Sequence, residues 1–320
     1  METLSAKYSL LNENKKLTSF YKDQRDLLWN PEEISFESDA KDYLNPNTNQ
    51  RYKDIYKMFL QFFVVGDGLI TDQALSFASS ATSQQERMFL LAQLLNEQDH
   101  IKTYTNALTQ VVPEKERDDV FKAVDNIQCI KDKANFILKW CESDEDRATK
   151  YLAGAFAEGV FFAALFAMVF YFRRKNIFLD FIKANQFILR DESLHRDFDC
   201  YMAKSLVNKV DTDKAKQIAK EAYDIEISHM NHILVIPIDS EEADKEAGIT
   251  KENMTKYIQT LTDQILVLSG FEPLFNVEKT CFPWMEDINL VTKKNFYETL
   301  VTDYSSGIKE NEENNDDIIF

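Results

Sequence analysis

The sequence is poor in the residues that make tight turns. It contains only seven glycines and six prolines in 320 residues, whereas average usage is roughly 7% and 5%. Sandwiches, barrels and glycine-rich nucleotide folds need many such turns, and neither G-x-G-x-x-G nor a P-loop motif occurs. The remaining composition, 44% apolar and 28% charged residues, predicts an all-α protein with a sizeable core.

Basic charge and paired cysteines are also scarce. The chain has 37 basic and 54 acidic residues, a net charge of −17. Such a field repels phosphate backbones and anionic lipid, so we expect no nucleic acid and no membrane surface as partner. The four cysteines lack C-x-x-C spacing, and no hydrophobic signal region opens the sequence. Both observations predict a cytoplasmic protein with reduced thiols.

One long apolar run stands against that expectation. The segment from Tyr151 to Phe172 has a single charged residue, Glu158, among 22 residues. As a helix it is roughly 33 Å long, enough to cross a bilayer. The alternative is a helix at the centre of a large helical protein, which is apolar all round because it is buried. A carboxylate in the middle of either environment is costly and requires a specific reason.

Apolar residues at helical spacing predict eight long helices. They are expected at 51–81, 83–112, 128–142, 145–175, 178–206, 212–233, 252–270 and 292–303. The patterns Ser83-x-x-Glu86 and Ser143-x-x-Asp146 resemble capping boxes at two of the starts. Residues 234–250 indicate a loop, and the acidic segment 305–320 indicates a flexible tail after a domain of residues 1–304.

Three of the four histidines follow a glutamate by three residues. The pairs are Glu97-x-x-His100, Glu192-x-x-His195 and Glu226-x-x-His229. Residues i and i+3 of a helix lie on one face, so each pair is able to chelate one metal ion. From the acidic content alone, fewer than one such pair is expected by chance. One pair taken alone is nevertheless weak evidence for a metal site.

A second regularity strengthens the metal interpretation. Asp67 precedes Glu97 by 30 residues, and Glu158 precedes Glu192 by 34. A carboxylate one helical hairpin before each pair brings four carboxylates and two imidazoles together, as in ferritin-like dimetal bundles. Such oxygen-rich ligation favours iron or manganese over structural zinc. The third pair also follows Glu192 by 34 residues, so spacing alone leaves it open, although its choice leaves Glu158 unexplained.

From about Trp29 to Tyr304, the sequence resembles the small, radical-carrying subunit of class I ribonucleotide reductase. The motifs that carry this resemblance are Phe62-Phe63-x-x-x-Asp67-Gly68, Glu97-x-x-His100-x-x-x-Tyr104, Ala157-Glu158-Gly159-x-Phe161-Phe162 and Arg190-Asp191-Glu192-x-x-His195-x-Asp197-Phe198. The resemblance implies a ferritin-like bundle whose two iron ions, or manganese ions, are bound by Asp67, Glu97, His100, Glu158, Glu192 and His195. It also implies that the apolar helix is a core helix and that His229 only packs.

The resemblance assigns further roles around the metals. Tyr104 is implied as the residue that is oxidised to a stable radical. An apolar sheath of Phe162, Phe166 and Ile188 is implied around it. A radical-transfer path is implied through His100, Asp191, Trp29 and Tyr304.

The resemblance also implies how the protein works with others. A homodimer reacts with O2, and the radical serves a large subunit that reduces ribonucleoside diphosphates to deoxyribonucleotides. The tail residues Ile318, Ile319 and Phe320 dock that subunit, although the tail lacks the Ser/Thr-Leu-Asp run of animal members. Three alternatives remain: another dimetal oxygenase in which Tyr104 is idle, an iron-binding bundle, and a membrane-anchored oxidase using the apolar helix.

Overall fold

A computed structural model of the chain describes residues 8–10, 14–206, 210–235 and 248–277, together with Phe282 and Met285. The chain divides into a unit that ends at Cys281 and a second unit from Phe282 onward.

Helices form all the regular structure of the described residues. They are α1 (Lys15–Asp26), α2 (Glu37–Leu44), α3 (Gln50–Ser80), α4 (Gln84–Val111), α5 (Glu114–Phe121), α6 (Ala123–Asn126), α7 (Gln128–Glu142), α8 (Arg147–Phe156), α9 (Ala163–Tyr171), α10 (Leu179–Ser205), α11 (Thr212–Ile233) and α12 (Lys251–Leu268). Two short 3₁₀ turns lie at Pro31–Glu33 and Phe172–Lys175, and a π-helical segment lies at Ala157–Phe162.

Seven of the predicted helices occur within a few residues of their expected bounds, and the eighth, 292–303, lies outside the described residues. Helices α1, α2, α5 and α6 were not predicted from the sequence. These four are short, and short helices are marginal in water without tertiary contacts. Their stability therefore depends on packing against long helices, which a local pattern does not reveal.

Helices α3 and α4 form a long antiparallel hairpin. The side chain of Asn49 accepts a hydrogen bond from the Arg51 amide at the start of α3, and Ser83 Oγ accepts from the Glu86 amide at the start of α4. These caps satisfy helix N–H groups that lack an intrahelical partner. Because only residues 81–83 join the two helices, positions near their middles lie opposite each other.

The apolar run lies within a continuous helical segment, Arg147–Lys175, at the centre of the unit. This is the candidate membrane span among the described residues, and its most apolar window is entirely buried inside the protein. Its burial among other helices is the property of a core helix, so the membrane-anchored alternative loses its basis.

The start of this central helix differs from the prediction. Asp146 is the N-cap, and its side chain accepts a hydrogen bond from the Thr149 amide at 3.1 Å. The capping box predicted at Ser143 was wrong, because Ser143 lies at the end of α7 and its Oγ donates to the Trp140 carbonyl. Serine and aspartate are both favourable N-cap residues, and the course of the turn between the two helices determines that Asp146 is the cap.

The central helix changes its winding at Ala157–Phe162, where the backbone is π-helical. Glu158 lies in this segment, and π-bulges are frequent at functional sites. A Cβ at Gly159 would approach Arg196 Cδ to 2.5 Å, so this position has no room for a side chain without a shift of Arg196.

Candidate metal centre

Six acidic and histidine side chains meet between four helical segments of the bundle. None of them is more than 2% exposed. They form two overlapping groups whose ligand atoms lie within 4.8 Å of one another: Asp67, Glu97, His100 and Glu192 in the first, and Glu97, Glu158, Glu192 and His195 in the second. Glu97 and Glu192 belong to both groups, so the arrangement is that of two adjacent sites that share two carboxylates.

Each shared carboxylate faces both imidazoles with separate oxygen atoms. Glu97 Oε2 lies 3.4 Å from His100 Nδ1, and Glu97 Oε1 lies 3.1 Å from His195 Nδ1. Glu192 repeats the pattern, with Oε1 3.0 Å from His100 Nδ1 and Oε2 3.3 Å from His195 Nδ1. Both carboxylates would therefore be able to contribute an oxygen to each of two neighbouring cation sites.

The chemistry of the six residues fits a dimetal group. Both oxygens of Asp67 and one oxygen each of Glu97, Glu158 and Glu192 have no hydrogen-bond partner in the described part of the chain. Burial raises the pKa of Asp67 and Glu158 well above the ordinary carboxyl value, and neighbouring carboxylates raise it further. Bound cations would supply the compensation that these buried oxygens require, and the chemistry of four carboxylates with two imidazoles fits iron or manganese.

The outer nitrogen of His100 is held by a second layer of contacts. His100 Nε2 lies 3.2 Å from Asp191 Oδ2, and Trp29 Nε1 donates to the same oxygen at 2.8 Å. The Trp29 and His100 rings also stack with centroids 6.2 Å apart. A carboxylate on the outer nitrogen fixes the ring orientation of a ligating histidine. The predicted neighbours are therefore together, while their role in radical transfer stays a prediction.

Tyr104 lies fully buried one turn after His100. Its hydroxyl donates to Asn185 Oδ1 at 2.9 Å, and its ring stacks on Phe63 with centroids 4.6 Å apart. Burial raises the pKa of the Tyr104 phenol well above its ordinary value, and the carboxylates of Asp67, Glu192 and Glu97 add to the effect. The phenol therefore keeps its proton at neutral pH.

Phe63 lies between Tyr104 and two of the residues predicted to form an apolar sheath, and the protective role of those residues stays a prediction. Phe162 and Phe166 stack on Phe63, at 6.0 and 5.5 Å, and Phe63 in turn stacks on Tyr104. Ile188 is fully buried on α10. Phe63 and Asn185 were not among the predicted site residues. Helical spacing contained a signal for both, because Phe63 lies one turn before Asp67 and Asn185 lies two turns before Glu192.

The two glycines on either side of Asp67 differ in the space around them. A Cβ at Gly66 would lie 2.9 Å from Phe162 Cζ, so the absent side chain allows close approach of this ring. At Gly68 an added Cβ would meet no atom within 4 Å. The first glycine therefore allows a close approach, and nothing in the structure explains the second.

The third Glu-x-x-His pair lies apart from both ligand groups. Glu226 Oε2 forms an ion pair with Lys133 Nζ at 2.6 Å, and both side chains are fully buried. The Lys133 ammonium also donates to the Phe161 carbonyl at 3.0 Å, within the π-helical segment, and lies 4.3 Å from the centroid of the Phe62 ring. Glu226 therefore neutralises a buried lysine that contacts the segment carrying Glu158.

We expect Lys133→Met to lower the free energy of unfolding by about 3 kcal/mol, because it leaves Glu226 buried without its counter-charge. Burial raises the pKa of Glu226 to about 7 even beside Lys133. Without Lys133 that folded-state pKa rises further above the unfolded value, so the penalty grows with increasing pH. Urea unfolding at pH 6 and pH 8 measures both effects.

The double variant Lys133→Met/Glu226→Leu is the control for this prediction. Removal of both charges replaces the ion pair with apolar side chains and recovers most of the lost stability, without the pH dependence. An equal loss in the single and double variants would mean that the pair contributes through packing alone.

Several predicted functional residues lie outside the described residues. They are Tyr304 of the transfer path and the docking residues Ile318, Ile319 and Phe320. Their roles stay predictions.

Comparison with known proteins identifies the family. The family model "Ribonucleotide reductase, small chain" matches residues 10–283. The ribonucleoside-diphosphate reductase small subunit of Plasmodium falciparum is 32% identical over 292 residues, which is 90% of this chain and 88% of the relative.

Solved structures agree on the fold. A putative class I ribonucleotide reductase from Bacillus halodurans superposes with a TM-score of 0.77 at 20% identity and covers 86% of this chain and 100% of its own. The Rnr4 homodimer of Saccharomyces cerevisiae gives a TM-score of 0.74 at 22% identity, with 95% and 91% covered. The predicted ferritin-like helical bundle is therefore confirmed, together with a buried dimetal-type cluster. The chain belongs to the small-chain family of ribonucleotide reductase and is a small subunit of ribonucleoside-diphosphate reductase.

Proposed function

We propose that the six clustered side chains bind two iron or manganese ions and that Tyr104 is the residue oxidised to a radical. The observation that carries this proposal is the pair of overlapping ligand groups, fully buried, with a buried phenol one helical turn beyond His100. When bound, the two metal ions supply the reduction of dioxygen that yields a one-electron oxidant for Tyr104.

Different side chains would bind the two ions and protect Tyr104. Asp67 with His100 serves one ion, Glu158 with His195 serves the other, and Glu97 and Glu192 are shared. The aromatic layer on Tyr104 excludes water and soluble reductants, because Phe63 covers one part of the ring and Phe181 packs at 6.1 Å. A radical protected in this way persists until a partner consumes it.

The oxidising equivalent leaves, in this proposal, through His100, Asp191 and Trp29. Support comes from the two hydrogen bonds that meet on Asp191 Oδ2, at 3.2 and 2.8 Å. Trp29 is only half-buried, so it is the member of this series that reaches the surface. From there Tyr304 relays the radical to the large subunit, which Ile318, Ile319 and Phe320 dock.

We further propose a cytoplasmic homodimer. Leu75 of α3 and Leu91 and Leu95 of α4 are 53–55% exposed. Leu91 and Leu95 are one turn apart on the same helix face, and apolar residues grouped in this way are typical of surfaces covered by another subunit. The yeast relative of the same fold is a homodimer by its description.

An electron paramagnetic resonance (EPR) measurement tests the proposal. The metal-free protein is loaded with Fe(II) or, separately, Mn(II), exposed to O2, and measured for metal content and radical. We expect two ions per chain and a tyrosyl-type signal with at least one of the metals. Two bound ions without any radical would favour the oxygenase or iron-binding alternative, and no uptake would contradict the ligand assignment.

The same preparation tests the partner half of the proposal in a reductase assay with a large subunit. A chain that lacks residues 314–320 is expected to keep its radical and lose ribonucleotide reduction. Full activity in the shortened chain would contradict docking through the tail.

A further inference from the structure

The Tyr104 phenol has one hydrogen-bond partner among the residues that the structure describes. Its hydroxyl donates to Asn185 Oδ1 at 2.9 Å, and both side chains are fully buried. Neither oxygen of Asp67 has a hydrogen-bond partner in the same part of the chain. The phenol is therefore bound to a neutral amide rather than to a carboxylate of the metal centre.

The orientation of the Asn185 amide is fixed from its other side. Asn185 Nδ2 donates to the Phe181 carbonyl, one turn earlier on α10, at 2.8 Å. A reversed amide would place its oxygen against that carbonyl oxygen, with two acceptors in contact and no hydrogen between them. The amide oxygen must consequently face Tyr104.

The anchor at Phe181 is itself held in place. Its amide donates to Asp39 Oδ2 at 2.8 Å, and the neighbouring Asp180 amide donates to Asp39 Oδ1 at 3.0 Å. The Phe181 ring packs beside Tyr104 with centroids 6.1 Å apart. One residue thus fixes the amide through its carbonyl and contacts the phenol through its ring.

We infer that Asn185 is a positioning residue for Tyr104: it accepts the phenolic hydrogen bond before oxidation and is unable to donate one afterwards. This inference rests on the proposed function, in which Tyr104 is the oxidised residue. An amide oxygen is too weak a base to take the phenolic proton, so Asn185 orients the O–H group without removing its hydrogen.

Oxidation changes the meaning of this contact. Oxidation would remove one electron and the hydroxyl proton from Tyr104, and the two metal ions with dioxygen, once bound, would supply the acceptor for both. The Tyr104 oxygen then faces the Asn185 oxygen with no hydrogen between them. The amide remains held by Phe181, so the radical stands without a hydrogen bond from Asn185.

The wild-type radical tests this inference directly. High-field EPR reports a hydrogen bond to the radical oxygen as a lowered g1 value, and exchange into ²H₂O adds a coupling from the exchangeable deuteron. We expect the higher g1 of a radical that lacks a hydrogen bond, and no strong deuteron coupling. A lowered g1 with a strong deuteron coupling would overturn the inference, because it requires a donor at the radical oxygen.

Asn185→Leu tests the positioning role, since leucine has a similar shape and no acceptor. We expect the g1 value to stay the same. The couplings of the β-methylene protons change, because the ring is no longer held at its hydroxyl, and the radical yield falls by about fivefold, the equivalent of one net hydrogen bond of about 1 kcal/mol. Unchanged couplings and yield would overturn the positioning role.

Asn253→Leu is the matched control. Asn253 Nδ2 also donates to a backbone carbonyl, that of Gly248 at 2.9 Å, but Asn253 lies in α12. We expect a wild-type radical spectrum, so a change there would show that the loss of any such amide contact alters the signal. If the Asn185 variant fails to fold, the wild-type g1 value still decides whether the radical oxygen lacks a hydrogen bond. Absence of any wild-type radical, with two ions bound, would instead reject the proposed function.

Discussion

Tyr104→Phe is expected to abolish the radical completely and to leave two metal ions per chain. Phenylalanine keeps the ring that stacks on Phe63 but lacks the hydroxyl group that loses its hydrogen on oxidation. The structural cost is one buried hydrogen bond to Asn185 Oδ1, about 1 to 3 kcal/mol when the acceptor stays buried and unpaired. EPR together with metal analysis on the same sample measures both quantities.

The control for this result is a second buried tyrosine. Tyr56 is fully buried in α3, and its hydroxyl has no hydrogen-bond partner among the described residues, so Tyr56→Phe removes an oxygen at little structural cost. We expect its radical to match that of the wild type. A radical that survives Tyr104→Phe would place the oxidised residue among the other twelve of the thirteen tyrosines.

Glu192→Ala is expected to remove both metal ions, because Glu192 belongs to both ligand groups and presents a separate oxygen to each imidazole. Loss of a residue that only hydrogen-bonds to a metal ligand weakens metal binding by about 10- to 100-fold, and loss of a shared ligand should exceed that for both ions. Metal titration followed by elemental analysis is the measurement. We expect fewer than one ion per chain to remain after desalting.

Single-site ligands provide the comparison for Glu192. Asp67 belongs only to the first group and Glu158 only to the second. Alanine at either position should therefore weaken the binding of one ion and leave the binding of the other unchanged. His229→Leu is the control from the third Glu-x-x-His pair, which lies outside both groups, and should retain two ions. Equal losses at Asp67, Glu158 and Glu192 would contradict the shared arrangement, and a loss at His229 would reinstate the third pair.

Most of the candidate ligands were predictable because a chelating pair on a helix has a local pattern. A Glu-x-x-His pair is bidentate only on a helix, and its spacing of three residues is visible without any tertiary knowledge. Asp67 and Glu158 followed from the length of a helical hairpin. Exclusion of Glu226 needed the structure, because its partner, Lys133, lies on another helix and was not indicated by any spacing.

The contacts around Tyr104 show the opposite case. Asn185 lies 81 positions from Tyr104 along the chain, and the hydrogen bond between them depends on how α4 and α10 cross. The stacking of Phe63 on Phe162 likewise depends on the packing of two helices, and Gly66, three residues after Phe63, leaves room for the Phe162 ring. Helical periodicity predicts which face a residue occupies, but it does not predict which side chain of another helix meets it there.

The sequence by itself determined the helical class, the approximate bounds of the long helices and three Glu-x-x-His pairs able to chelate a metal, because helical periodicity and chelate spacing are properties of neighbouring residues. The tertiary structure decided where the central helix starts, that Glu97 and Glu192 face both imidazoles, and that Tyr104 donates to an amide. These features depend on the relative placement of helices distant in sequence. That placement is fixed by the packing of the whole core rather than by any single segment.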